Sequence, residues 1–352
     1  MTAVSRLASL PKRNARMDDT HIRLAHGNGG SYMRELIETV FARHLANPLL
    51  NVQADAVALP AMEGGGVVMV TTDGFTVQPL EFPGGTIGSL AVHGTVNDLA
   101  VSGATPYYLT LNAFIEEGFD IARLERIIAS LAEAAREARV VIVAGDTKVL
   151  PHGEVGGLYL ATTGVGVRAQ HLQLGLDRVQ PGDAVLVSGP VGDHGIAVLL
   201  AREEFGLRGE LLSDAASVFP LTQALASLNG LRFMRDPTRG GLATVLHEIC
   251  RATGLEVRLN QTAIPVREQV AAVCEMLGYD PLFLACEGRV VAVVEASQAP
   301  EALTRLQALP QGREAAIIGS VNAGRAHVVL QTELGGERIL EELEDDPLPR
   351  IC

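Results

Sequence analysis

Apolar and polar positions alternate between two periods along the chain. "IARLERIIASLAEAAREA" sets Leu124, Ile127, Ile128 and Leu131 on one stripe, with Arg123, Glu125, Arg126 and Glu133 off it, which predicts an amphipathic helix. "GSLAVHGTVNDLAVSGA" has small and apolar residues at helical spacing, and Gly103 near its end. "GGGVVMVTTDGF", "PYYLTLNAFIEEG", "RVVIVAGDT" and "VGGLYLATTGVGV" read as strands, with "ADAVALP" as a further short β segment before the first. A turn signal at Pro181-Gly182-Asp183 introduces a second series. There, helical patterns ("GIAVLLAREE", "AASVFPLTQALASL", "GGLATVLHEICRAT", "REQVAAVCEML") mix with strand patterns ("AVLVSG", "LEVRLN", "RVVAVVEAS", "AAIIGSV", "AHVVLQ"). Alternation in both halves predicts a layered α/β protein (α+β layered) of two domains, spanning 17–170 and 171–339. Residues 1–16 form a basic extension, expected to be disordered, and 340–352 an expected mobile tail.

The 352 residues are 47 % hydrophobic, enough for a large core, and contain no Trp. A net charge of −13 with no visible basic patch disfavours nucleic acid and anionic membrane as partners. No apolar run is long enough to cross a membrane. The four cysteines form no C-x-x-C pair, so neither a zinc site nor a disulfide framework is indicated and a cytoplasmic setting is the default. Cys250, Cys274 and Cys286 lie in apolar company and read as small buried hydrophobes.

Four carboxylates change this picture. Asp55, Asp73, Asp98 and Asp146 stand alone among small or apolar residues, in "QADAVAL", "TTDGF", "TVNDLA" and "AGDTK". Each alone is equally a helix cap or turn residue. Together they suggest a site for Mg²⁺, a cation that takes oxygen ligands and is shared with a polyphosphate. Three glycine-rich loops precede helical runs: "HGNGGS", "FPGGTIGS" and "MRDPTRGGLATVLHEI", the last adding Asp236, Thr238, Arg239 and Gly240. Such loops offer backbone N–H groups to anions. With Lys148 in "GDTK" they suggest a polyphosphate, although neither a P-loop nor a complete dinucleotide fingerprint is present. "GPVGDHG" offers His194 and "LACEGR" offers Glu287 as proton-transfer groups, each also readable as an ordinary exposed or turn residue.

The stretches "TTDGFTVQPLEFPGGTIGSLAVHGTVNDLAVSGA", "AGDTKV", "GPVGDHGIA", "MRDPTRGGLA" and "ACEGR", with the terminal "PRIC", resemble the HypE family of hydrogenase maturation proteins. That family belongs to the superfamily of aminoimidazole ribonucleotide synthetase and selenophosphate synthetase. The resemblance runs from about His26 to Cys352 and departs from the superfamily at "QAD", where only Asp55 stands for a frequent acid pair. It implies an N-terminal domain that forms a homodimer through its sheet and binds ATP with Mg²⁺, and a C-terminal α/β domain closing over the phosphates. It implies Asp55, Asp73, Asp98 and Asp236 as metal-binding acids. Gly27, Gly29, Gly30, Asn97, Asp146, Thr147, Arg239 and Gly240 are the expected nucleotide contacts. Cys352, Lys148, Glu287 and His194 are the expected catalytic set. A HypF-type carbamoyltransferase would load the terminal cysteine. ATP would drive dehydration of the thiocarboxamide to a thiocyanate, and a HypC–HypD-type complex would take the cyano group toward the iron of a [NiFe]-hydrogenase. A terminal thiol suits a carrier: from Leu340 the arm reaches roughly 40 Å, and Pro347 and Pro349 favour extended backbone. The rival readings are a superfamily synthetase acting on a free small molecule and a non-enzymatic nucleotide-binding scaffold.

Overall fold

The computed structural model describes residues 19–27, 31–52, 59, 65–202 and 210–342. The segment "ADAVALP", the extension 1–16, and residues Gly29, Gly30, Asp55 and Cys352 fall outside these, apart from Leu59 of that segment.

The first half begins with a 3₁₀ turn Leu24–Gly27, then helix α1 (Ser31–Leu36), a π-helical stretch Ile37–Ala42 and α2 (Arg43–Leu45). There follow β1 (Gly66–Phe75), the short β2 (Glu81–Phe82) and β3 (Gly85–Thr86), α3 (Ile87–Val101), β4 (Ala104–Glu116), α4 (Ile121–Glu137), β5 (Val141–Leu150) and β6 (Leu158–Ala169). β1, β6, β4 and β5 make one sheet in that order. β4 and β5 are parallel, as the crossover through α4 requires, and the other pairs are antiparallel. Thr86 caps α3 by accepting from the backbone of Gly88 and Ser89, while Ser89 accepts from the Thr86 N–H. Asp120 caps α4 through Arg123 N. α3 is buried on nearly all sides, which is why its sequence lacks a polar face.

The two helices cover one sheet face only. On the other, Val68, Val70 and Phe114 are exposed, at 57 %, 65 % and 37 %. Strand alternation explains the split: Thr71, Asp73 and Phe75 point toward α3, and Val68, Val70 and Thr72 away from it.

The second half contains β7 (Ala184–Val187), α5 (Asp193–Ala201), α6 (Phe219–Ala226), β8 (Leu231–Arg235), α7 (Gly241–Thr253) and β9 (Glu256–Asn260). It continues through α8 (Glu268–Leu277), β10 (Val291–Val294), α9 (Ala299–Gln307), β11 (Ala316–Asn322), β12 (Val328–Gln331) and β13 (Glu337–Leu340). Its seven-stranded sheet runs β13-β12-β9-β11-β7-β10-β8. α7 packs in one core with Val185, Val257 and Val291, and α6 and α9 pack in another with Leu186, Ala292 and Val294. β8, α9 and β13 were not expected from the sequence pattern.

The packing does not stop at the turn between the halves. Ile196, Val198 and Leu199 of α5 and Val270, Val273 and Cys274 of α8 share a core with Leu36, Val40, Leu124 and Ile128 of the first half. Cys250, Cys274 and Cys286 are buried, and burial pushes the thiols of Cys250 and Cys274 up to about 11 and that of Cys286 well above its ordinary value.

Candidate functional site

A cleft of about 310 Å³ lies between the halves, lined by Asp73, Asp98, Arg235, Asp236, Arg239 and Glu287 among others. Asp73 comes from β1 and Asp98 from the last turn of α3. Asp98 Oδ2 accepts from Thr71 Oγ1 at 2.8 Å, and Asp73 Oδ1 accepts from the N–H of Gly74 at 2.7 Å. Gly94, one turn before Asp98, must be a glycine here: a Cβ would stand 2.8 Å from the Phe75 ring. From the second half come Arg235 at the end of β8, Asp236 and Arg239 in the loop, and Glu248 on α7. Arg235 is paired with Glu248 at 3.0 Å and Arg239 with Asp73 at 3.5 Å. α7 begins on two left-handed glycines, Gly240 (φ 69°) and Gly241 (φ 60°). A Cβ on Gly241 would meet the Leu284 carbonyl at 2.5 Å, so close approach to the 282–284 segment dictates glycine.

The acids are poorly compensated. Burial, then the neighbouring Asp98 carboxylate, pushes Asp236 up to about 7. Burial also raises Asp98, with Asp73 adding to the effect and Thr71 opposing it. Carboxylates that hold each other's protons suit a cation, and Mg²⁺ fits that vacancy of charge; Asp98, Asp236 and Asp73 would hold it. Among the described residues no three His, Cys, Asp or Glu side chains cage a metal by themselves. Mg²⁺ held by these acids would take the rest of its shell from water and phosphate oxygens.

Glu287 is 5 % exposed and lines the same cleft. Asn97, expected at the nucleotide, is elsewhere. It is 1 % exposed and spent on backbone: its Nδ2 donates to the carbonyls of Glu287 and Ala216, both at 3.0 Å, and its Oδ1 accepts from Val218 N at 2.8 Å. His194 is not brought to the cleft either. It is fully buried, with Nδ1 2.8 Å from Ser213 Oγ and its ring edge-on to Phe82, and burial lowers it to about 3. A ring that stays neutral and sealed from the cleft is a poor proton acceptor there.

The remaining expected contacts lie on β5, at the opposite sheet edge from β1. Asp73 lies level with Thr162, Leu111 and Gly145, so β5 is about 14 Å away across three strand spacings. Asp146 and Thr147 line a separate pocket of about 150 Å³ walled by Ile37, Phe41, Leu45 and Ile142. Gly27 packs on β5, where a Cβ would fall 2.9 Å from Val149 Cβ. Lys148 lies level with the exposed Phe114 and is itself exposed, on the sheet face that α3 and α4 leave bare. The structure thus gathers Asp73, Asp98, Asp236, Arg239 and Glu287 around one cleft, with Gly240 next to Arg239 at the start of α7, and leaves Gly27, Asp146, Thr147 and Lys148 at the far sheet edge.

Two halves with this sheet pairing and a carboxylate cleft between them define an AIR-synthase-related protein. The chain matches the family described as AIR synthase related protein over residues 53–168 for the N-terminal domain and 180–331 for the C-terminal domain. Within that class it belongs to the HypE family. It is 47 % identical over 333 residues to carbamoyl dehydratase HypE of Azotobacter vinelandii, covering 94 % of this chain and 97 % of the relative. To carbamoyl dehydratase HypE of Escherichia coli it is 43 % identical over 335 residues, covering 94 % and 99 %. Its fold superposes on a crystal structure of the hydrogenase maturation protein HypE in complex with ATP, with a TM-score of 0.88, 44 % identity, and coverage of 94 % and 99 %. A HypE–HypF complex matches with a TM-score of 0.77 and 42 % identity over 89 % of this chain and all of that one. No described helix is long and apolar enough to cross a membrane.

Proposed function

We propose that the chain dehydrates its own carbamoylated C-terminal cysteine at the expense of ATP. The observation that carries this reading is the cleft that joins Asp73 and Asp98 of one half to Asp236 and Glu287 of the other. Similarity to an ATP-bound HypE supports ATP as the nucleotide, and Arg239 with the N–H groups that open α7 makes that cleft our choice for its triphosphate. Asp98 and Asp236, with Asp73, hold Mg²⁺; bound there, the ion offsets phosphate charge. Cys352 carries the substrate. Its carbamoyl oxygen attacks the γ-phosphorus as the amide nitrogen gives up one proton to solvent, and ADP leaves. Glu287 then takes the second nitrogen proton, the C–O bond breaks, and phosphate departs. A thiocarboxamide and ATP become a thiocyanate, ADP and phosphate.

Reach permits this in one chain. Glu342 is held to Arg251 of α7 at 2.5 Å. From Arg251 back to Gly241, at the cleft, is about 15 Å along the helix axis. The ten residues from Glu342 to Cys352 span up to roughly 33 Å. The arm can therefore double back along α7 with length to spare.

The homodimer is part of the same reading. Lys148, Asp146 and Gly27 stand a sheet's width from the acids, and the bare face carries Val68, Val70 and Phe114. A second copy laid on that face covers it and brings a β5 edge toward a β1 edge, so that Lys148 can meet the phosphates from the other subunit. A HypF-type carbamoyltransferase supplies the carbamoyl group, in keeping with the HypE–HypF complex of a relative. A HypC–HypD-type complex receives the cyano group for the iron of a [NiFe]-hydrogenase.

The test is the mass of the C-terminal peptide after reaction with carbamoyl donor, carbamoyltransferase and ATP. Loss of one water from the carbamoylated peptide is expected, and Cys352→Ala should bind ATP yet gain no group. A wild-type tail that stays carbamoylated while ATP is consumed on an added small molecule would favour the synthetase reading. Absence of any ATP turnover would favour the scaffold.

A further inference from the structure

The peptide that carries Glu287 is tied down by a buried acid. Asp214, in the segment before α6, has a side chain only 1 % exposed. Its Oδ1 accepts from the N–H of Glu287 at 3.1 Å and its Oδ2 from the N–H of Gly288 at 3.3 Å. The charge is balanced by Arg289, whose Nε lies 3.3 Å from Asp214 Oδ2. Arg289 is itself fixed by the carbonyl of Pro190 at 2.8 Å and by Asp193 at 3.2 Å. Across the cleft, Asn97 of α3 holds the Glu287 carbonyl and the Ala216 carbonyl two residues beyond Asp214. Packing is tight enough that a Cβ on Gly288 would fall 1.9 Å from the Asp214 carbonyl oxygen. A buried carboxylate that accepts two successive backbone N–H groups fixes a turn more firmly than neutral acceptors do.

We infer that Asp214 is a positioning residue for the dehydration: through the N–H groups of Glu287 and Gly288 it sets where the Glu287 carboxylate stands in the cleft. Asp214 does not line the cleft and acts only through its neighbour. The inference rests on the reading of Glu287 as proton acceptor. A base displaced by about 1 Å loses on the order of 100-fold in rate while substrate binding is untouched. Asp214→Asn keeps the shape and one acceptor oxygen, but sets an NH₂ group against an N–H donor. It should lower the single-turnover rate of tail dehydration about 10- to 100-fold, with ATP affinity within about twofold of wild type.

The experiment compares Asp214→Asn, Glu287→Gln and the double variant in the full chain carbamoylated at Cys352, with tail-peptide mass giving rate and nucleotide titration giving affinity. If Asp214 works through Glu287, the double variant is no slower than Glu287→Gln alone. Additive losses, or a fall in ATP affinity equal to the fall in rate, overturn the inference. Gly288→Ala, which pushes the same peptide off Asp214 without removing a buried charge, should reproduce the rate loss at unchanged ATP affinity; it decides the matter should Asp214→Asn not fold, and a wild-type rate in Gly288→Ala counts against the inference. A Glu287→Gln variant of wild-type rate refutes the base assignment itself and takes this inference with it. A slow Glu287→Gln beside an unimpaired Asp214→Asn refutes the positioning role alone.

Discussion

Removing one carboxylate from the cleft should make the ligand-free protein more stable and less able to bind Mg²⁺. Asp236 sits at about 7 in the folded chain against an ordinary value of 3.8. The sign follows from proton binding. Between those values the folded state holds a proton that the unfolded state has lost, so stability falls as pH rises, and the loss is complete above pH 7. At about 1.4 kcal/mol per unit, the strain is about 2 kcal/mol at pH 5 and about 4 kcal/mol at pH 8, part of it shared with Asp98. Asp236→Asn keeps the size and discards the charge. Without metal or nucleotide at pH 8 it should raise the apparent unfolding temperature by several degrees, and by less than half as much at pH 5. Adding Mg²⁺ with ATP should reverse the order, stabilising the wild type and leaving the variant nearly unmoved. The assay is thermal unfolding followed by circular dichroism across pH 5–8, with and without Mg²⁺ and ATP. An Asp236→Asn chain that melts below wild type at pH 8 in the absence of ligands would show that the acid is compensated, and the argument for a cation between Asp98 and Asp236 would fail.

Two further outcomes test the fold. His93, 6 % exposed with an unpartnered Nδ1, is lowered to about 4 by burial, so it stays neutral while the unfolded chain takes up a proton below pH 6.5. Its contribution falls away by about 1.4 kcal/mol per pH unit from 6.5 down to 4, and His93→Gln should flatten the urea-midpoint-against-pH slope over that range; an unchanged slope would mean the ring is protonated in the native state. Gly88→Ala places a methyl 2.3 Å from the Ile127 carbonyl where α3 meets α4, and should cost about 1–3 kcal/mol in urea unfolding; an unshifted midpoint would mean the two helices can part.

Much of the architecture is written in local periodicity. The stripe Leu124, Ile127, Ile128 and Leu131 gave α4, and all four are fully buried. β8 escaped because "LRFMR" is short and interrupted by Arg232 and Arg235, and β13 because "ERIL" buries only Leu340. Of the four isolated acids in apolar company, Asp73 and Asp98 converge with Asp236 of the glycine-rich loop, while Asp146 lies in another pocket on β5 and Asp55 is outside the described residues. The same signal marks Asp214 in "SDAAS", immediately ahead of the helical pattern "AASVFPLTQALASL"; its partners 73 residues away are invisible in it. Lys148 was placed beside the acids by motif, whereas period-two alternation along "GDTKV" already separates it from Thr147, which is buried. Asn97 and His194 misled for one reason. A polar residue in an apolar helix must satisfy itself somewhere, and here the partners are the backbone at 216–218 and 287 and the hydroxyl of Ser213.

Helices α5 and α8 belong to the second half by chain order and to the first by packing. Jaws riveted together in this way have little freedom to gape. On the proposed function, the rhythm of turnover would then pass from hinge to leash, set by the coming and going of the tail and not by any opening of the mouth.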